Sequence, residues 1–405
     1  MSARTFEYTV VSAKGKLVTG RIEAPDESAV ANRLRDLGLT ATAIEQVATT
    51  GLNREITLGG GRAKAKDVAL LVRQLATMVA AGLSLGRAVH ALRVQAAGGP
   101  LDEILGDVER RLSTGDSLSH ALAEHPRVFS PVVVAMVESG EVGGYLDEVL
   151  EAVATTLEKE IELRGQVKGA MVYPVVVLVF AVIAVTAMLL FIVPVFQGIF
   201  ADVGAELPLP TQLLVWAADG LRIGIVPLVA ALVAGSVWWK KHRHDAAVRE
   251  RLDPLKLRVP IFGPLATKIA ITRFAQNLAT MTRVGVPVVP ALHTVGPTTG
   301  NLVIERAVER ICAAVERGVP LGDALAEEEV FPVMLRQMVS VGEESGALDT
   351  MLARVATFYD REVATTTGSL TSVLEPLLIV GIGVVVGAML IALYLPIFML
   401  SDAVG

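Results

Sequence analysis

Two long uncharged stretches interrupt this chain, with a shorter one between them. No charged residue occurs between Lys168 and Asp202 or between Glu375 and Asp402, and each stretch exceeds the roughly 20 apolar residues a helix needs to cross about 30 Å of hydrocarbon. They predict membrane helices over 171–197 and 373–400. A third, over 213–239, has a shorter apolar part, Ile223 to Trp239, which Leu213 to Ala218 lengthens if Asp219 and Arg222 reach toward the headgroups. The alternative is a buried helix of a soluble core. Trp238 and Trp239, followed by Lys240, Lys241 and Arg243, favour a membrane boundary.

Outside these stretches the apolar residues follow other periods. Val68, Leu71, Leu75, Met78 and Val79 recur at helical spacing, as do Leu146, Val149, Leu150, Val153, Leu157 and Ile161. Ile271, Phe274, Leu278 and Met281, then Leu348, Met351, Leu352 and Val355, repeat the scheme later. Gly82, Gly115 and Gly140 punctuate it at places expected to be helix C-termini. The prediction is a mainly α, multi-pass membrane protein with two homologous cytoplasmic helical bundles, 64–170 and 265–372, each of about five or six helices. A connector covers 240–264, an outer loop 198–212 and an outer tail 401–405. Residues 1–47 differ: Phe6 to Val11 and Leu17 to Glu23 alternate around Lys14-Gly15, Asp26 can cap a helix ending near Gly38, and Ala41 to Val47 fits a third strand. This predicts a small ββαβ unit, joined by a Gly- and Thr-rich linker over 48–63.

The two helical regions are copies. Phe129, Met136, Gly140, Glu141, Gly144, Leu146 and Asp147 meet identical residues at an offset of 202, and the register continues to Pro174/Pro376 and Pro194/Pro396. Upstream the offset is 203, matching Leu75-Ala-Thr-Met78 with Leu278-Ala-Thr-Met281.

Charge decides orientation and excludes some functions. Lys159, Arg164 and Lys168 precede the first span, and Lys240, Lys241 and Arg243 follow the second, whereas Gln197 to Gln212 holds Asp202 and Glu206 but no Lys or Arg. Basic residues resist translocation, so both bundles are expected in the cytosol. A net charge of -6 without a basic face gives no nucleic-acid footprint. The single cysteine, Cys312, excludes an intramolecular disulfide and reads as a small buried side chain. The N-terminus has no apolar segment of a cleaved signal peptide. No GxxxxGK[ST] loop, HExxH or paired CxxC is present, so neither ATP hydrolysis nor a zinc centre is expected. His242 and His244 read as part of a basic membrane-edge cluster. The spans lack the ionisable residues of a proton or ion path.

One constellation invites chemistry. Glu138, Glu141 and Asp147 surround Gly140, Gly143 and Gly144, and Glu343, Glu344 and Asp349 stand in the second copy. Such a turn is a candidate for a hard cation such as calcium. The favoured alternative has Asp147 and Asp349 stabilising the first turn of the next helix while the glutamates are solvated or paired. In the spans, Pro174, Pro194, Pro227, Pro376 and Pro396 are candidate kinks.

Arg73-Gln-Leu-Ala-Thr-Met78, Ala81-Gly82-Leu-Ser-Leu85, Glu138-Ser-Gly-Glu-Val-Gly-Gly-Tyr-Leu-Asp147, Tyr173-Pro174 and the duplicated plan resemble the inner-membrane platform proteins of type IV pili and type II secretion systems, the PilC/GspF family. Leu71 stands where a Phe is usual, and Ser340 replaces the first glutamate of the second turn. The resemblance implies a non-enzymatic, oligomeric protein of the bacterial inner membrane. It would dock a cytoplasmic hexameric assembly or retraction ATPase and other inner-membrane assembly proteins, and pass motion to pilin or pseudopilin subunits. Glu141, Asp147, Glu343 and Asp349 are then candidates for holding the turn or docking a partner. A transporter subunit or a membrane-bound enzyme is the alternative outside this family.

Overall fold

The computed structural model describes residues 4–11, 17–24, 29, 41–46, 63–203, 208–242, 245–260 and 262–404. Packing divides the chain into Met1–Gly61 and Arg62–Gly405. The first unit holds strands β1 (Arg4–Val11), β2 (Leu17–Ala24) and β3 (Ala41–Gln46) in one antiparallel sheet of order β2-β1-β3. β1 pairs with β2 from Arg4↔Ala24 to Val11↔Leu17, and with β3 from Phe6↔Gln46, with a shift between Thr9 and Val10. The ββαβ unit is not supported as a whole. Apart from Ala29, its helix lies outside the described residues, as do the Lys14-Gly15 turn and the linker up to Arg62.

In the second unit the first copy forms α1 (Ala65–Ala80), α2 (Leu85–Gln95), α3 (Asp102–Ser113), α4 (Leu118–Ala123), α5 (Pro131–Gly143) and α6 (Leu146–Ala187). A π-helical segment, Met188–Ile192, and α7 (Val193–Val203) carry α6 onward. After α8 (Leu209–His242) and α9 (Ala246–Arg258), the second copy forms α10 (Phe262–Arg283), α11 (Val288–Val295), a 3-10 turn (Gly296–Thr299), α12 (Leu302–Glu316), α13 (Leu321–Ala326), α14 (Val333–Glu344) and α15 (Leu348–Val404). The predicted connector is therefore largely helical, and the predicted outer tail continues α15 as far as Val404.

The expected boundaries at 170 and 372 fall inside α6 and α15. The reason is that an α-helix satisfies its own backbone in water and in hydrocarbon alike, so a change of side-chain polarity need not interrupt it. By length and composition, Leu146–Ile199 and Leu348–Leu395 can each cross a membrane, and Leu209–Ile225 with Pro227–His242 form a third candidate bent by 54°. Their outward apolar side chains, Phe180, Phe191, Leu232 and Leu377 among them, are exposed. Such a surface is stable against lipid and not against water.

Pro227 sits at the 54° bend. Pro174 and Pro376 lie within continuous helices. Pro194 follows the π segment, where the Val193 N–H reaches back to the Met188 carbonyl, and this wider turn absorbs a residue that cannot bond to Leu190. Pro396 leaves the Ala392 carbonyl without its helical donor. The buried Thr211 hydroxyl of α8 donates to that carbonyl, joining two spans by the bond the proline removed.

The two copies do not keep separate cores. Buried residues from Val68 through Met136 and Leu150 to Phe274, Leu335 and Tyr359 form one continuous cluster. α1 packs on α6, α10 on α15, and α6 on α15. Two bundles were expected; their facing apolar surfaces have merged into one body.

Candidate functional site

The repeated Gly-Glu of each copy gathers hydrogen bonds from a neighbouring helix. α4 and α13 are single short helices whose first N–H groups have no acceptor in their own helix. Glu141, on the last turn of α5, fills that need: Oε1 accepts from Leu118 N, and Oε2 accepts from Ser119 N at 3.0 Å and from the Ser119 hydroxyl. In the second copy, Glu343 Oε1 accepts from Leu321 N at 2.7 Å and Oε2 from Gly322 N at 2.8 Å. A carboxylate at a helix N-terminus is favoured by charge as well as by hydrogen bonding.

The glycine before each glutamate has a separate task. A Cβ at Gly140 would lie 2.8 Å from Val149 Cγ2, and one at Gly342 would lie 3.1 Å from Leu348 Cα. Gly140 is thus not a helix end, as its spacing suggested. It lies within α5 and lets α5 and α6 cross closely, while Gly144, at φ +78°, ends the helix. Asp147 and Asp349 lie in the first turns of α6 and α15, and Glu138 and Glu344 are exposed.

These carboxylates do not assemble into a cation site. Among the described residues one group of three ligand-bearing side chains has its ligand atoms within 4.8 Å of each other, and it is His293, Cys312 and Glu316. Its chemistry argues against a resident ion. His293 Nε2 pairs with Glu316 at 3.0 Å, Cys312 donates to the Val289 carbonyl, and burial pushes the thiol above its ordinary range, away from the thiolate a metal needs.

The turn of the first copy is also occupied. Tyr145 Oη donates to the Val284 carbonyl at 3.0 Å and Ser139 Oγ to the same carbonyl at 2.9 Å. At the neighbouring Gly285 a Cβ would come within 2.9 Å of the Tyr145 hydroxyl. This end of the first copy is therefore seated on the α10–α11 turn of the second. In the second copy Ala347 stands where Tyr145 does, and Val341, Glu343 and Glu344 stay exposed.

Arg73 is a residue whose role the sequence did not disclose. Its guanidinium donates to Glu158 at 2.6 and 2.8 Å, to Thr155 at 3.1 Å and to Glu151, tying α1 to α6. Those hydrogen bonds, that to Glu158 first, raise its proton affinity further and lower the Glu158 carboxyl below its ordinary range. The helical spacing of Glu151, Thr155 and Glu158 was the available signal.

Residues 71–194 and 274–396 match the family described as type II secretion system (T2SS), protein F, and residues 1–45 match the N-terminal domain of type II secretion system protein F. The type IV pilus assembly protein PilC of Thermus thermophilus is 41% identical over 97% of this chain and 97% of its own. The PilC of Myxococcus xanthus is 38% identical over 98% and 95%. The type II secretion system protein F of Pseudomonas aeruginosa is 33% identical over 99% of both chains.

Proposed function

Because the chain belongs to the type II secretion system protein F family, we propose that it is the inner-membrane platform of a type IV pilus or type II secretion machine, a non-enzymatic part that couples a cytoplasmic assembly ATPase to insertion or extraction of pilin-like subunits. The observation that carries this reading is the continuity of α6 and α15. Each leaves the shared core and enters an apolar stretch without a break. A displacement imposed on the bundles then reaches the bilayer along a hydrogen-bonded rod of 1.5 Å rise per residue, with no hinge to dissipate it. Higher identity to the two pilus assembly proteins favours the pilus over the secretion pseudopilus.

In this reading the basic flanks around Arg164 and Lys240 hold both bundles in the cytosol, residues 1–47 form a ββαβ unit, and the protein works as a homo-oligomer. Docking falls to the second-copy turn, around Glu343, Glu344 and Asp349, since the equivalent turn of the first copy is covered by Val284. Glu141 and Asp147 hold the geometry of that covered end.

The test is made in a strain lacking the protein. A short flexible Gly-Ser insertion after Gly169 should leave membrane insertion and abundance unchanged yet abolish pili. Pili at wild-type number with the insertion in place would overturn the rigid-rod reading. Purified protein should show no nucleotide turnover of its own and should raise that of its cognate hexameric ATPase.

A further inference from the structure

Where the second copy meets the apolar helices, four elements line an open-sided cavity of about 560 Å³. Arg164 comes from α6, Trp239 from α8, Arg249 and Lys256 from α9, and Gly300 from the turn before α12. Two of these residues fix its depth independently. Arg164 lies one turn before Lys168, the last charge ahead of the first apolar stretch, and Trp239 closes the apolar part of α8 immediately before Lys240 and Lys241. An indole beside lysines is the usual occupant of the headgroup layer.

The charges around the cavity are unbalanced. Arg164 Nη2 donates to Glu160 at 2.7 Å, and Arg273 of α10 approaches the same oxygen no closer than 3.7 Å. Two guanidiniums therefore share one carboxylate. Arg273 is largely buried, and its Nε has no hydrogen-bond partner. A Cβ at Gly300, which lines the cavity, would lie 2.9 Å from Arg273 Nη1, so the glycine there, at φ +77°, leaves room for the guanidinium packed behind it. On the opposite side the buried Asp253 is matched by Lys256 at 2.7 Å and Arg249 at 3.5 Å, while Arg249 also donates to Glu305 at 2.6 Å. The lining thus carries Arg164, Arg249 and Lys256 against Asp253, and with the adjoining Arg273, Glu160 and Glu305 counted an excess of one positive charge remains. Lys240 and Lys241, next to Trp239, add to the field.

We propose that this cavity binds the phosphate of an anionic phospholipid headgroup from the leaflet on the bundle side, with the acyl chains lying along α6 and α8. Guanidinium forks match phosphate oxygens in geometry and charge. A phosphate beside Arg164, Arg249 and Lys256 would neutralise the surplus positive charge of the lining. The apolar stretches leading from the cavity distinguish a lipid from a free anion, because only the lipid also covers Trp239 and the start of each span. This inference rests on reading α6 and α8 as membrane helices.

Native mass spectrometry of the full-length protein, offered phosphatidylglycerol or phosphatidylcholine in mixed micelles, tests it. Wild type should retain phosphatidylglycerol and lose phosphatidylcholine. Arg164→Gln, a change at an exposed side chain that leaves the core untouched, should weaken phosphatidylglycerol retention about fivefold, the worth of one basic residue near an anionic surface. Combining it with Arg273→Gln should weaken it further, with the helical circular dichroism of the single variant unchanged. Equal retention of the two lipids by wild type, or undiminished phosphatidylglycerol binding by Arg164→Gln, would overturn the proposal. Displacement of phosphatidylglycerol by millimolar inorganic phosphate would assign the site to a free anion, and the lipid would be the wrong occupant.

Discussion

The two copies of the repeat solve the same problems with different residues. Both cap a short helix with a glutamate from a neighbouring helix and cross that helix closely over the next one at a glycine. Around this shared frame the side chains diverge. In the second copy Phe274 packs against Phe331 with ring centroids 5.1 Å apart and planes tilted by 45°, whereas in the first Leu71 and Phe129 border a cavity of about 20 Å³. The first copy supports α4 with Ser117, which accepts from His120 N, and the second begins α13 with Pro320 and Gly322. Pro194 is absorbed by a π segment and Pro396 by a hydroxyl from another helix. What duplication has preserved is the backbone path of the crossing; the means of satisfying it have drifted.

The largest test of this comparison replaces the crossing glycines. Gly140→Val and Gly342→Val each force two helix backbones apart, and thermal unfolding in detergent should show a loss of about 3 kcal/mol in either copy. A loss confined to one copy would mean that the crossing is not the shared frame.

Smaller and unequal effects are expected at the caps. Glu343→Ala removes the acceptor for both Leu321 N and Gly322 N where Pro320 offers no side-chain oxygen, and should cost about 1–2 kcal/mol. Glu141→Ala leaves Ser117 in place and should cost less. Equal losses by the same unfolding measurement would show that Ser117 contributes nothing.

The smallest effect lies in the cores. Filling about 20 Å³ is worth about 0.5 kcal/mol, so Leu71→Phe should be neutral to slightly stabilising, while Phe274→Leu should cost about 1 kcal/mol. A marked loss from Leu71→Phe would show that the first core has closed around the smaller side chain.

Much of this was legible beforehand. The apolar stripes of Val68, Leu71 and Leu75, and of Ile271, Phe274 and Leu278, marked residues that are buried, because helical periodicity is a local property. The two longest apolar helical stretches were legible from the absence of charge alone. Helix ends were less so: Gly140 and Gly144 are chemically identical in the sequence, yet one permits a crossing and the other supplies a left-handed turn. Nor did spacing reveal where Glu141 would be used, since its partners at Leu118 and Ser119 lie more than 20 residues away in another helix.

The sequence by itself determined the duplication, the apolar stretches and the faces each helix must bury, since these follow from side-chain polarity and the helix repeat. Tertiary structure alone decided that the two cores merge, that α6 and α15 run unbroken into the apolar stretches, and that Tyr145 joins one copy to the other at Val284. It also decided that Arg164 and Arg273 share a single carboxylate. These outcomes depend on which donors and acceptors are left over once the helices pack, and that remainder exists only in three dimensions.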